Sequence, residues 1–242
     1  MSGHSKWAKV KYQKAAKDPK RGKAFSKLTN LITVAAREGG DMETNPKLRL
    51  AIEKAKALGM PKDNIDRAIQ RGTGEEAERK QLEELICEAY GPAGTAILIQ
   101  VITDNKNRTL AELRHLLSSY DAKMANSGSV RYMFQETGRI TVPQTNWNDN
   151  LALKAIEKGA EEIKERDGLV EIYTIISNLT NLKTFIEDNL PGIQIEANID
   201  FVPQQPVPIN DEELKNKLET LFNALDENSD VEEIYSNAEY EI

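Results

Sequence analysis

Few side chains in this sequence are of the type that performs covalent chemistry or holds metal. There are two histidines, His4 and His115, and one cysteine, Cys87, with no HExxH pair and no local nucleophile–base signature. His115 falls among Leu113, Leu116 and Leu117 in a helical pattern and is read as structural, whereas His4 stands among lysines, where either a phosphate contact or plain solvation fits. Cys87 follows Leu85-Ile86 and is read as a small core residue, since it has no second thiol for a disulfide or a thiolate metal site. Gly72-Thr73-Gly74 and Gly91-Pro92-Ala93-Gly94 lack a phosphate-loop frame and read as turns, and Glu75, Glu76, Glu78, Glu83 and Glu84 lack EF-hand spacing and read as a solvated face. No catalytic residue, metal ligand or cofactor is therefore expected, and an enzyme is the least supported class.

A different chemistry is written into the amino terminus. Between Ser2 and Lys27 stand nine cations, Lys6, Lys9, Lys11, Lys14, Lys17, Lys20, Arg21, Lys23 and Lys27, against one acid, Asp18. That excess points to a polyanion, with Trp7 and Tyr12 offering faces on which unpaired bases could stack. Lysine outnumbers arginine, which favours diffuse phosphate attraction over bidentate base reading. The competing reading is that the arm docks on the protein's own acids. A second candidate is Lys106 with Arg108, at a strand-to-helix turn where cations and backbone amides could hold an anion, unless they merely cap and solvate the helix. The candidate nucleic-acid-binding set is thus Lys6, Trp7, Lys9, Lys11, Lys14, Lys17, Lys20, Arg21, Lys23, Lys27, Lys106 and Arg108.

Charge is segregated along the whole chain. Residues 1–72 hold 17 Lys and Arg against 7 Asp and Glu, a net +10, leaving −17 for the remainder of a chain whose total is −7. A basic head able to meet polyanions precedes an acidic body that would be repelled by them. With 242 residues, 39 % hydrophobic and 29 % charged, the composition is that of a globular protein of two or three domains. No apolar run approaches the ~20 residues needed to cross a bilayer, so a cytoplasmic chain without membrane association is expected.

These residues need elements to position them. Phe25, Leu28, Leu31, Ile32 and Ala35 share a helical face, Asn45-Pro46 is a cap and first-turn pair for a second helix, and Pro61 with Asp63 opens a third. Pro19 is expected to interrupt the arm. Leu85–Tyr90 and Ala96–Thr103 read as a hairpin, followed by a helix capped at Asp104 or Asn105 and a strand near 130–134. A second α/β stretch has a strand at 139–142, helices near 149–165 and 179–190, and strands at 169–175 and 193–201. Pro203, Pro206 and Pro208 mark a linker, after which a helix at 211–225 and a strand at 231–235 must join an earlier sheet. The expected division is a basic arm at 1–24, a helical domain at 25–79, an α/β domain at 80–137 plus 207–242, and an inserted α/β domain at 138–206. The class is α+β: a three-helix domain followed by two split-βαβ units, the third domain inserted into the second.

Taken in order, GHSKW (Gly3–Trp7), KRGKAFSKL (Lys20–Leu28), NPKLR (Asn45–Arg49), MPKDNIDRAIQRGTG (Met60–Gly74), YGPAG (Tyr90–Gly94), TDNKNRT (Thr103–Thr109) and GSVRYMF (Gly128–Phe134) resemble the YebC family. That family includes the mitochondrial translational activator of cytochrome c oxidase subunit I. The usual GPGG appears here as GPAG, with Ala93. The resemblance implies a helical domain followed by two α/β domains, no catalysis, and a part in gene expression. Members are described both as DNA-binding transcriptional regulators and as ribosome-associated translation factors that relieve stalling. The implied partner is accordingly DNA or ribosomal RNA, with the ribosome as one setting, and a monomer is expected. The alternative from another class is a protein-binding adaptor whose arm folds back on its own acidic domains.

Overall fold

The computed structural model describes residues 18–74, 82–166, 168–193 and 195–240, with side chains from Gly22 to Glu239. The first helix, α1 (Asp18–Ala36), begins seven residues before the expected start. Pro19 does not interrupt it, because it falls in the first turn, where a helix has no use for that N–H. At the other end, Asn45 is 4 % exposed and joins two helices. Its Oδ1 accepts from Leu48 N at 3.0 Å, capping α2 (Pro46–Ala57), while its Nδ2 donates to Ala35 O and Gly39 O, both at 2.7 Å.

The third helix, α3 (Lys62–Thr73), crosses α1 at close quarters. A Cβ on Gly72 would stand 2.3 Å from Thr33 O and 2.7 Å from Ala36 Cβ. The Thr33 hydroxyl lies 2.7 Å from Thr29 O and 3.2 Å from Ala68 O. This crossing closes a core of Ile32, Leu48, Ile52, Ile65 and Ala68.

Two strands follow, β1 (Glu83–Tyr90) and β2 (Ala96–Thr103), antiparallel with Glu83 opposite Thr103 and Tyr90 opposite Ala96. In the turn joining them Ala93 takes φ +57°, a left-handed conformation that explains why glycine is usual there in the family it resembles. The chain continues through α4 (Lys106–Ser119) to β3 (Lys123–Met124), which pairs antiparallel with β1.

After Phe134 the chain leaves this first compact unit, builds a second from Gln135 to Val202, and returns at Pro203. The second unit runs β4 (Phe134–Pro143), α5 (Asp149–Glu157), β5 (Glu162–Arg166), β6 (Leu169–Thr174), α6 (Leu179–Asn189) and β7 (Glu196–Pro203), with sheet order β5-β6-β4-β7. β6 pairs antiparallel with both β4 and β5, so β4 and β5 run parallel with β6 between them, a split βαβ arrangement. Two details differ from expectation. Residues 131–133 form a tight turn and β4 is one strand through Gly138, which packs where a Cβ would meet Leu179 at 2.9 Å rather than breaking the strand. The helix expected to reach residue 165 stops at Glu157, because Gly159 takes φ +94° and turns the chain into β5.

On its return the chain forms β8 (Val207–Ile209) within the stretch expected as linker. It then forms α7 (Glu212–Glu227), β9 (Val231–Ser236), which joins the first sheet beside β2 in the order β3-β1-β2-β9, and β10 (Ala238–Tyr240), parallel to β8. α4 and α7 cover the first sheet over Ile97, Ile99, Val101, Leu113, Leu117, Leu218, Leu221 and Phe222. The α+β class with one α/β unit inserted in another is the observed architecture.

The Gly72 contact generates a test. Gly72→Ala is expected to lower stability by about 1–3 kcal/mol, since a backbone carbonyl cannot move aside. Gly22→Ala, in the second turn of α1 with nothing within 4 Å, is expected to be neutral or stabilising. Urea denaturation of the two variants checks the opposite signs.

Candidate nucleic-acid interface

Six members of the candidate set, Lys6, Trp7, Lys9, Lys11, Lys14 and Lys17, lie outside the described residues, as does His4. Lys20 and Arg21 fall on the first turns of α1. The next two cations, Lys23 and Lys27, are one turn apart on that helix, and the fold gives them a different task. Lys23 Nζ donates to Glu227 O, and Lys27 Nζ donates to Asp226 O at 3.0 Å and to Asp226 Oδ1 at 3.1 Å. Both engage the carboxyl end of α7, where unpaired carbonyls gather partial negative charge. α7 has no basic residue in its own last turn, so α1 supplies the cations. Lys27 is 6 % exposed; it is a clasp between the helical segment and the acidic α/β body, not a residue presented to a phosphate.

The second candidate patch is also changed by its partners. Asn105 caps α4, its Oδ1 accepting from Arg108 N at 3.1 Å. The Arg108 guanidinium reaches Asp104 Oδ1 at 3.0 Å and Asp230 Oδ2 at 3.1 Å, with Glu112 at 3.8 Å. Thr109 Oγ1 donates to Asp230 Oδ2 at 2.6 Å. Partial burial opposes ionisation of Asp230, yet the hydrogen bonds from Thr109 and Arg108 hold its carboxyl below the usual range. The hydrogen bond and charge of Asp230 in turn raise Arg108. Arg108 therefore ties α4 to the β9 entry; both Lys106 and Arg108 are exposed, but Arg108 is engaged by carboxylates.

The remaining residues singled out take ordinary places. His115 is on the exposed side of α4 rather than in a core, its carbonyl accepting from Ser118 and Ser119. Cys87 is buried, and burial raises its thiol against the lowering influence of Lys106 and Arg114.

Sequence reasoning missed Glu88, whose position in a strand carries no signal of its contacts. Its carboxylate is 5 % exposed and accepts from three backbone amides: Gly128 N and Val130 N, both at 2.6 Å, and Arg131 N at 3.0 Å. Burial would raise its pKa, but these three donors, with the charge of Arg131, bring it below the usual glutamate range. Around it Tyr90 Oη donates to Ser129 O at 3.1 Å, Ala125 N to Glu88 O at 2.8 Å, and Gln204 N to Met133 O at 2.9 Å. The segment Gly128–Met133 is thereby held as a rigid loop, on which Tyr132 stands 71 % exposed.

The second unit offers a rival platform. In register, Arg139 faces Tyr173 and Thr141 faces Glu171, so these side chains share the sheet face opposite Ile140 and Ile172. Arg139 lies between Glu171 Oε1 at 3.1 Å and Asp200 Oδ2 at 2.8 Å, Tyr173 Oη donates to Glu171 Oε2 at 3.0 Å, and Lys164 Nζ sits 5.1 Å from the Tyr173 ring centroid. Burial and the neighbouring Glu171 push the Tyr173 hydroxyl far up. Four-stranded sheets that bind single-stranded RNA present free aromatic faces. Here the aromatic and the guanidinium are consumed by a buried network containing two carboxylates.

Among the described residues no group of three His, Cys, Asp or Glu side chains is placed to hold a metal ion. No described helix is long and apolar enough to cross a membrane. The family model described as the TACO1/YebC N-terminal domain matches residues 5–75, and that for the TACO1/YebC second and third domain matches residues 82–238. A probable transcriptional regulatory protein of Thermotoga petrophila is 46 % identical over 242 residues, covering 99 % of this chain and 94 % of the relative. One of Persephonella marina is 46 % identical over 244 residues, covering 99 % and 96 %. The crystal structure of a conserved hypothetical protein from Aquifex aeolicus superposes with a TM-score of 0.84 at 42 % identity, covering 93 % of each chain.

Two measurements follow from this geometry. Lys27→Met, which removes a buried ammonium from the Asp226 carboxylate and the end of α7, is expected to cost about 1–3 kcal/mol in urea unfolding, whereas Lys23→Met should cost under about 1 kcal/mol. Glu88→Gln is expected to cost about 1–3 kcal/mol at pH 7. Because the folded pKa of Glu88 lies below its unfolded value, its contribution is complete above the ordinary glutamate range and disappears as pH falls through the folded value. The gap between the unfolding midpoints of wild type and Glu88→Gln should therefore narrow as pH falls below the ordinary glutamate range.

Proposed function

The chain belongs to the TACO1/YebC family, and from that premise we propose that it is a non-enzymatic, cytoplasmic, nucleic-acid-binding regulator of gene expression. The observation that carries this reading is the segregation of charge: +10 in residues 1–72 against −17 in the rest. The clasp of Lys23 and Lys27 adds to it, because it anchors the helix that the cations Lys6 to Arg21 precede or open. Those cations meet phosphate groups, while the net acidic remainder of the chain repels polyanions. Relatives are named probable transcriptional regulatory proteins, which supports a regulatory role. A lysine-rich contact that does not read bases suits either a DNA-associated regulator or a translation factor on ribosomal RNA.

One observation favours a second reading, that of a protein-binding adaptor. Lys23 and Lys27 do dock on the protein's own acidic body, as the rest of the arm would in that case.

Reversing Lys6, Lys9, Lys11 and Lys14 to glutamate separates the two. If roughly five phosphates are contacted, log K for the wild type falls with log salt with a slope near −4, and the variant should lose both affinity and slope. Binding of the full chain and the variant to duplex DNA, single-stranded RNA and sedimented ribosomes across salt concentrations checks this. Unchanged affinity in the variant, with the segment resistant to trypsin at low salt, would transfer the assignment to the adaptor.

A further inference from the structure

Tyr132 is the most exposed large hydrophobic side chain among the described residues, at 71 %. Exposed tyrosines are common on mobile loops, but this one is mounted on backbone that the fold immobilises at evident cost. A glutamate is buried and desolvated to collect the amides of Gly128, Val130 and Arg131, and the Tyr90 hydroxyl and Gln204 amide tie Ser129 and Met133. The Glu88 carboxylate thus holds the amide immediately before Tyr132, and Met133 on its other side is bonded through its carbonyl.

The surroundings of the ring decide what it could receive. A protein-binding hot spot sits within apolar neighbours that exclude water. The other four exposed large hydrophobics, Leu153, Ile156, Ile175 and Ile176, belong to the second unit, so among the described residues Tyr132 is the one exposed large hydrophobic of its own unit. Cations accompany it instead. Arg131 is its chain neighbour, and Lys123 on the edge strand β3 lies with its Nζ 5.9 Å from the ring centroid of Tyr90, the residue bonded to Ser129 of the same loop. An exposed aromatic ring on an immobilised loop, with Arg131 beside it in sequence, is an arrangement that stacks an unpaired base.

We propose that Tyr132 is a stacking site for an unpaired nucleobase of a single-stranded RNA segment, a contact separate from the phosphate-binding amino terminus. The proposal rests on the nucleic-acid reading above and refines it: the amino terminus supplies attraction that any polyanion satisfies, and Tyr132 selects strands with an accessible base face. Little conformational freedom is lost on binding, because the loop is already fixed and tyrosine has two side-chain torsions.

The experiment measures anisotropy of a labelled 15-nucleotide mixed-sequence RNA and of its duplex, with the full chain, Tyr132→Ala and Tyr132→Phe, across salt concentrations. Thermal melting checks that each variant is folded, as a largely exposed side chain allows. The expected result is a loss of roughly tenfold in single-strand affinity for Tyr132→Ala, with affinity kept within about twofold for Tyr132→Phe and for the duplex. The salt slope should not change, because stacking releases no counterions. Equal binding of wild type and Tyr132→Ala to the single strand, alongside a normal salt slope, overturns the stacking site and leaves the nucleic-acid reading standing. A lowered slope in Tyr132→Ala also overturns it, since the effect would then be electrostatic. Absence of salt-dependent binding by the wild type to either nucleic acid overturns both.

Discussion

A carboxylate taken out of water must recover its hydration from the protein, and Glu88 does so with three main-chain donors. Much of the first unit is arranged around that requirement. The donors come from Gly128 to Arg131, so the loop closes over β1, Gly128 takes φ +83°, and β3 is brought to the sheet edge through Ala125. The same loop delivers the chain to Phe134, where the second unit starts, and Gln204 bonds Met133 where the chain comes back. The insertion of one unit into the other therefore begins and ends against a segment pinned by one side chain.

Electrostatics organises the rest at longer range. Acidic groups of the body serve as internal partners: Asp226 and the α7 carbonyls take Lys27 and Lys23, Asp230 and Asp104 take Arg108, and Glu171 and Asp200 take Arg139. These four cations are thus drawn into the structure, and the amino-terminal segment carries the largest excess of positive charge suited to an external polyanion. The α1–α7 clasp works in both directions. It holds the helical segment on the body, and it supplies the charge that the carboxyl end of α7 lacks in its own sequence.

What could be read from sequence was whatever depends on near neighbours. Asn45-Pro46 marks a helix start because the cap bond runs three residues ahead, and the β1–β2 hairpin is legible because its turn and both strands are contiguous. That β9 joins an earlier sheet followed from a strand with no partner nearby; that its partner is β2 did not. The misses are set by distant contacts. The strands expected near 130–134 and at 139–142 are replaced by one, with Gly138 packed against Leu179, and Pro208 reads as linker until β10 arrives alongside Val207–Ile209. At the candidate site the limit is sharper. Lys27 is indistinguishable by type and spacing from Lys20 or Lys23, and only Asp226, 199 residues away, reveals its role. The same holds for Arg108 with Asp230, and for Glu88 with a loop 40 residues on.

On the proposed reading, nucleic acid is met at the basic amino-terminal end and at Tyr132, and not by the inserted unit at residues 135–202. The most direct measurement is ultraviolet crosslinking of the protein to RNA and DNA in cells, followed by mass spectrometry of the crosslinked peptides. Crosslinks are expected within residues 1–22 and, with RNA, at Tyr132, and none within residues 135–202. Crosslinks concentrated in residues 135–202, or a protein recovered abundantly with no crosslink at all, would contradict that reading.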